Sequence, residues 1–345
     1  MRLSATSMAI LAAAAASPAF AGGAFTTLAS FDGANGAKAA AGLTLSGGTL
    51  YGTTAGGGAS GDGTVFSVPI TGGTPTVLAS FSGTNGAYPE GDLTISGDTV
   101  YSTANSGGAG GIGEVFSLPT SGGTPTILAS FGGGNGSEPY ASLILSGGML
   151  YGTTTSGGAN NDGAVFSIST AGGTPTVLAS FSGTNGRFPY AGLTLAGGML
   201  YGTTAYGGTN GDGTVFSLPV AGGTPTTLAT FDGTNGANPT GGLVFSGGTL
   251  YGTTQQGGAS GDGTVFSLPI TGVTPTTLAT FNGGNGEFPY AGLTLSGGIL
   301  YGTTYGGGTY GDGTVFEISV PEPASLALLA MGAAGMLLLK RRRAN

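Results

Sequence analysis

The apolar positions of this chain recur every 50 residues. Tyr51, Tyr101, Tyr151, Tyr201, Tyr251 and Tyr301 stand in one register, and Phe31, Phe81, Phe131, Phe181, Phe231 and Phe281 in another. In the fourth copy, residues 191–196 alternate apolar with small or polar side chains, Gly197 and Gly198 follow, and residues 199–204 continue the run. Alternation interrupted by a glycine pair is a hairpin signal. A glycine-rich loop over 206–213 leads to a third apolar stretch at 214–218, and a turn ending at Pro225 precedes a fourth at 226–231. Four short strands joined as a meander, with no helical periodicity in the repeats, predict an all-β chain. A period of this length predicts a six-bladed β-propeller of four-stranded antiparallel blades.

The register also predicts how the ends meet. The first repeat element, residues 25–31, reads as a fourth strand with no three strands before it, and the last, residues 314–319, as a third strand with none after it. The fragments are complementary, so the N-terminal strand is expected to complete the last blade and close the ring, removing two exposed sheet edges. The repeated tyrosines and phenylalanines are then packing residues between blades. Asn35-Gly36 and its five copies are expected to supply left-handed turn positions.

Composition changes this picture in three ways. Gly at 76 residues and Pro at 17 would signal low complexity were the register not so strict. Between residues 22 and 319 the basic residues are Lys38 and Arg187 against fourteen acids, a net charge of −12, which argues against nucleic acid and anionic membrane surfaces as partners. The chain has no cysteine and no histidine, so no disulfide, no Ser-His-Asp or Cys-His nucleophile and no usual zinc site can be assembled.

The two ends have their own character. Residues 1–21 read as a secretory signal, with Arg2, an apolar stretch at 8–16 and the cleavage pattern Ala19-Phe20-Ala21, leaving 22–320 as the repeat domain. At the other end Pro321, Glu322 and Pro323 precede the apolar segment 324–339 and the basic cluster 340–343. As a helix, that segment would reach about 24 Å, a little short of a hydrocarbon core of roughly 30 Å. In that order the tail 321–345 resembles the PEP-CTERM sorting signal of Gram-negative bacteria. The resemblance implies export, a membrane-anchored intermediate at the inner membrane, recognition of Pro321, Glu322 and Pro323 by an exosortase, and release to the cell surface or the extracellular matrix. It also implies an association with exopolysaccharide.

The repeat itself, with Leu-Tyr-Gly-Thr-Thr at 50–54, Gly-Asp-Gly-Thr-Val-Phe at 61–66 and Leu-Ala-Ser-Phe at 78–81, resembles the GloVer (Gloeo/Verruco) tandem repeat of exported bacterial proteins over about residues 25–320. The second copy departs most, reading Tyr101-Ser102-Thr103-Ala104 and Gly113-Glu114-Val115-Phe116. The resemblance carries over no catalytic or ligand residues.

A meander places its fourth-to-first and second-to-third loops on one face, and there the copies differ. The seven tyrosines outside the repeated register all map to that face. The candidate binding residues are Tyr88, Tyr140, Phe188, Tyr190, Tyr206, Phe288, Tyr290, Tyr305 and Tyr310, because rings on loops of a rigid scaffold offer area and a hydroxyl at small entropic cost. Asp62, Asp162, Asp212, Asp262 and Asp312 recur in the loop, with Ile112 breaking the series. One carboxylate per loop is thin support for calcium, and Asp-Gly also serves a turn, so no metal or other cofactor is expected. Glu90, Asp92 and Glu114, with Glu138, are the carboxylates from which a glycosidase pair would have to be drawn.

The expectation is an exported, non-enzymatic scaffold whose loop face binds extracellular polysaccharide or a surface protein. The alternatives are a passive envelope or matrix component and a carboxylate-dependent glycan hydrolase.

Overall fold

A computed structural model describes residues 27–39 and 41–320. Its elements are all strands, arranged as six consecutive antiparallel sheets, five of four strands and a last one of three. The fourth sheet is typical, with strands Thr194–Ala196, Met199–Thr204, Thr214–Pro219 and Thr226–Thr230 paired in chain order. The first strand is shorter than the alternation predicts, because only Thr194 to Ala196 find partners along the second, at Met199 to Tyr201. Both glycines of the connecting turn take left-handed φ, 57° at Gly197 and 76° at Gly198, as a two-residue hairpin turn of type I′ requires.

The asparagine of the Asn-Gly pair does something other than expected. Gly36 is left-handed at φ 129°, whereas each asparagine serves as an acceptor: Asn85 Oδ1 takes the Ser82 N–H at 2.8 Å and Asn185 Oδ1 the Ser182 N–H at 3.0 Å. The side chain closes the loop and the glycine turns it.

Sheets adhere through a joint repeated five times. The third-strand valine of one sheet and a leucine of the next repeat fall in one cluster in every case: Val65 with Leu93, Val115 with Leu143, Val165 with Leu193, Val215 with Leu243, Val265 with Leu293. The repeated phenylalanines meet edge to face across the joint, Phe81 on Phe116 and Phe231 on Phe266 at 5.1 Å, so the packing role expected for them is observed. Glycine at the centre of the second strand makes room for that ring, since a Cβ on Gly252 would sit 2.7 Å from Phe266 Cζ. Polar bonds run alongside: Thr194 Oγ1 donates to the Leu243 carbonyl at 2.5 Å, and Gly223 N–H to the Leu178 carbonyl at 2.9 Å.

The predicted closing strand pair is not formed among the described residues. Among the described residues the last strand, Val315–Ser319, pairs only with Ile299–Thr303, and residues 27–31 form no strand. That N-terminal segment nevertheless lies against the first sheet as a fourth strand lies against its successor: Phe31 packs on Phe66 at 4.9 Å, and the Leu28 carbonyl accepts the Gly73 N–H at 2.8 Å. With no third strand beside it, its backbone has no ladder to join. Both end faces are therefore bare. Leu43 is 56% exposed where its five equivalents are 4–7% exposed, and Val315 is 80% exposed where its equivalents are at 0%.

Candidate binding site

The loop face is assembled by backbone bonds that tie each repeat to itself and to its predecessor. Arg187 and Tyr206 exchange backbone hydrogen bonds across the two loops of the fourth repeat, which places both loops on one face as predicted. Phe188 N–H then donates to the Asp162 carbonyl of the preceding repeat at 2.8 Å, and the same bond joins Tyr88 to Asp62, Glu138 to Ile112, Asn238 to Asp212 and Phe288 to Asp262. These residues all hold a left-handed φ near 55°, a conformation that costs a non-glycine residue roughly 1–2 kcal/mol and is offset here by the inter-repeat bond. The recurring aspartate thus contributes its main chain, whatever its side chain does. Among the described residues no three His, Cys, Asp or Glu side chains gather as a metal site.

Two residues past the left-handed one, the chain reaches a shared cavity. There Glu90, Tyr140, Tyr190, Thr240 and Tyr290, equivalent residues of five successive repeats, line one cavity of about 670 Å³. Asp92 and Ser142 add polar walls, and residues from Ala41 and Gly42 through Ala291 to Thr294 complete it, so all six repeats contribute. Asp92 Oδ1 accepts the Gly42 N–H at 2.5 Å, which fixes the carboxylate across a joint. Glu90 Oε2 accepts from Asn105 Nδ2 at 3.4 Å. The Tyr140 and Tyr190 rings lie 6.0 Å apart, and the Tyr290 hydroxyl accepts from Gln255 Nε2 at 2.7 Å. Burial, and then the neighbouring Tyr206, Tyr140 and Glu138, push the Tyr190 phenol above its ordinary pKa, so it stays a neutral donor.

Of the nine predicted residues, Tyr140, Tyr190 and Tyr290 line the cavity. Tyr305 packs on Tyr290 at 5.5 Å. Phe188 and Tyr206 form a cluster of their own at 6.1 Å, with the Arg187 guanidinium 5.5 Å from one ring and 5.6 Å from the other. Arg187 was not among the predicted residues, although it is one of two basic residues in the repeats and its uniqueness was a visible signal. Tyr88 and Tyr310 are exposed, and Phe288 is half-buried; none of the three lines the cavity. Ala21, Pro321, Glu322, Pro323 and the apolar segment 324–339 lie outside the described residues. Among the described residues no helix is long and apolar enough to cross a membrane.

The four candidate carboxylates separate. Glu90 and Asp92 line the cavity, while Glu138 is exposed and accepts from Ser156 Oγ at 3.2 Å. Glu114 is fully buried, is not among the cavity's lining residues, and neither of its oxygens has a hydrogen-bond partner among the described residues. It replaces one member of a threonine pair, as Thr254 and Thr264 share a 2.8 Å hydroxyl bond, and Ala104 replaces the other. Desolvation raises the Glu114 pKa to about 7.

No curated protein sequence matches this chain. The extracellular domain of a protein described as a hybrid two component system from B. thetaiotaomicron is similar at 11% identity and a TM-score of 0.50, covering 80% of this chain and 32% of that one. A puromycin-hydrolyzing peptidase of Mycobacterium tuberculosis is similar at 15% identity and a TM-score of 0.49, covering 80% and 45%. The nidogen/laminin complex follows at 18% identity and a TM-score of 0.46, covering 68% and 76%. At these identities the likeness is one of fold, a β-rich repeat protein with propeller-like neighbours. The Gloeobacter/Verrucomicrobia repeat model matches residues 17–205 and 189–332.

Proposed function

The chain belongs to the Gloeobacter/Verrucomicrobia repeat family, and from that footing we propose that it is an exported, non-enzymatic scaffold whose axial cavity binds polysaccharide. One observation carries this reading: three tyrosines from three repeats and two carboxylates from a fourth converge on a single cavity. Tyrosine rings stack on the C–H faces of sugars, and phenols and carboxylates bond sugar hydroxyls, so binding needs no nucleophile or metal. The signal at 1–21 and the tail at 321–345 support export, sorting by an exosortase and a final place at the cell surface or in the matrix.

Glycan-array binding by the purified protein tests the site. The Tyr140→Ala, Tyr190→Ala, Tyr290→Ala triple variant is expected to lose at least tenfold in affinity, since each ring is worth about 0.5–1.5 kcal/mol. Binding that survives the triple variant moves the ligand elsewhere on the loop face. Absence of any glycan binding favours a surface-protein partner or a passive matrix role.

The scaffold is proposed to work as a closed six-bladed propeller, with residues 27–31 entering beside Val315–Ser319. All six repeats already line one cavity, and the bare faces at either end are the two halves of the internal joint. The chain has no cysteine, so Leu43→Cys with Val315→Cys in one molecule is a clean probe. A short bismaleimide should link the pair within one chain. Links exclusively between chains would replace the ring by a polymer.

A further inference from the structure

The polysaccharide reading leaves open which sugar the cavity selects, and the distribution of charge on its walls narrows that choice. Glu90 and Asp92 come from one repeat and so stand on one side of the cavity, while Tyr190 and Tyr290 come from later repeats. None of the residues lining the cavity is basic. The Asp92 carboxylate is anchored through one oxygen by the Gly42 N–H, and Glu90 through one oxygen by Asn105, which leaves an oxygen of each without a side-chain donor. Among the described residues the basic side chains are Lys38 and Arg187; neither lines the cavity, and Arg187 is engaged with Phe188 and Tyr206.

Two features then act on a charged ligand in the same sense. Fixed carboxylates in a concave wall of a domain with net charge −12 hold a negative potential, which draws in cations and repels anions. The electron-rich faces of tyrosines attract an ammonium group and have no corresponding affinity for a carboxylate. A uronate-bearing polymer would bring its own negative charge against Glu90 and Asp92 and pay for desolvating it. A neutral hexose chain would use the rings and leave the carboxylates with hydroxyl partners only. A polymer carrying free amines would use both walls at once.

We propose that the cavity selects a cationic aminosugar polymer, one whose hexosamine residues carry free, protonated amines, with Glu90 and Asp92 facing the ammonium groups and Tyr140, Tyr190 and Tyr290 stacking on the rings. The inference rests on the cavity being the polysaccharide site. A carboxylate–ammonium contact at a partly exposed wall and a cation–π contact together correspond to a preference of about tenfold for the amine form over its N-acetylated counterpart.

The experiment is isothermal titration of the full chain with two oligosaccharides of equal length, one of glucosamine below the pKa of its amine and one of N-acetylglucosamine at the same pH. The glucosamine oligomer is expected to bind about tenfold more tightly at low ionic strength, with the ratio shrinking as salt is added. In the Glu90→Gln, Asp92→Asn variant the ratio should fall to about one. Equal binding of both oligomers by the unmodified chain, or tighter binding of the acetylated one, overturns the selectivity and leaves the polysaccharide site standing. Binding of neither, alongside a glycan array that is also blank, removes the site itself.

Discussion

The five internal joints and the two bare ends are built from the same sequence and behave differently. Val265 and Leu293 are buried together, while Val315 and Leu43, their equivalents, face solvent. The burial of a repeat is therefore a property of its neighbours. A single copy is a thin four-stranded sheet with two apolar faces, and its stability comes from being stacked, as expected for quasi-one-dimensional repeat proteins.

The sharpest way to test that contrast is to make the same change at an internal and a terminal position. Phe216→Ala removes a fully buried ring that meets Phe181 at 5.0 Å and should cost about 3–5 kcal/mol in denaturant unfolding. Phe316→Ala in the last sheet, where the ring is only partly buried while the seam stays open, should cost the same once the ends close as proposed and roughly half as much or less if they do not. Equal losses would show that the end faces are covered in solution.

Within the internal set, the second repeat is the weak member, and pH exposes it. Glu114 has an ordinary carboxyl pKa of 4.5 when unfolded and about 7 when folded. Between those values the folded chain keeps a proton that the unfolded chain has lost. Stability is therefore complete below pH 4.5, falls as pH rises through the window by on the order of 3 kcal/mol, and levels off above 7. The Ala104→Thr, Glu114→Thr variant restores the hydroxyl pair of the other copies and should flatten that slope. A wild-type stability independent of pH from 4.5 to 7 would mean that the carboxyl has found a partner or water.

The smallest expected effect isolates one hydrogen bond. Thr194→Val removes the hydroxyl that reaches the Leu243 carbonyl across a joint and should cost about 1 kcal/mol. Thr294→Val should cost the same once the ends close as proposed, and nothing measurable across an open seam, where the matching acceptor is out of reach. A loss at Thr294 equal to that at Thr194 would again argue for closure.

Much of this was legible in the chain. Strand number, hairpin glycines, the packing role of the repeated rings and the shared loop face all follow from a period that carries its own turns, as comparison of the predicted 199–204 with Met199–Thr204 shows. Closure was not legible, because complementary fragments at residues 27–31 and 315–319 establish only that the two could pair. Whether they do depends on the angle accumulated over five joints, which no local pattern encodes. At the site, the variable residues before each first strand were recognisable, and Tyr140, Tyr190 and Tyr290 were among them. Their convergence with Glu90 and Asp92 on one cavity was hidden, since sequence distances of 50 residues and more say nothing about which side chains meet. Tyr88 and Tyr310 look the same as the others in sequence and lie apart from the cavity in space.

The left-handed residue that ties each repeat to the one before it also leads into the cavity, and this couples architecture to evolvability. Adding or deleting a whole repeat would leave each surviving joint its valine and leucine, whereas a point change at the rim, such as the Thr240 that stands where another copy has Tyr290, would retune the mouth one residue at a time. Girth and taste can drift separately in such a molecule.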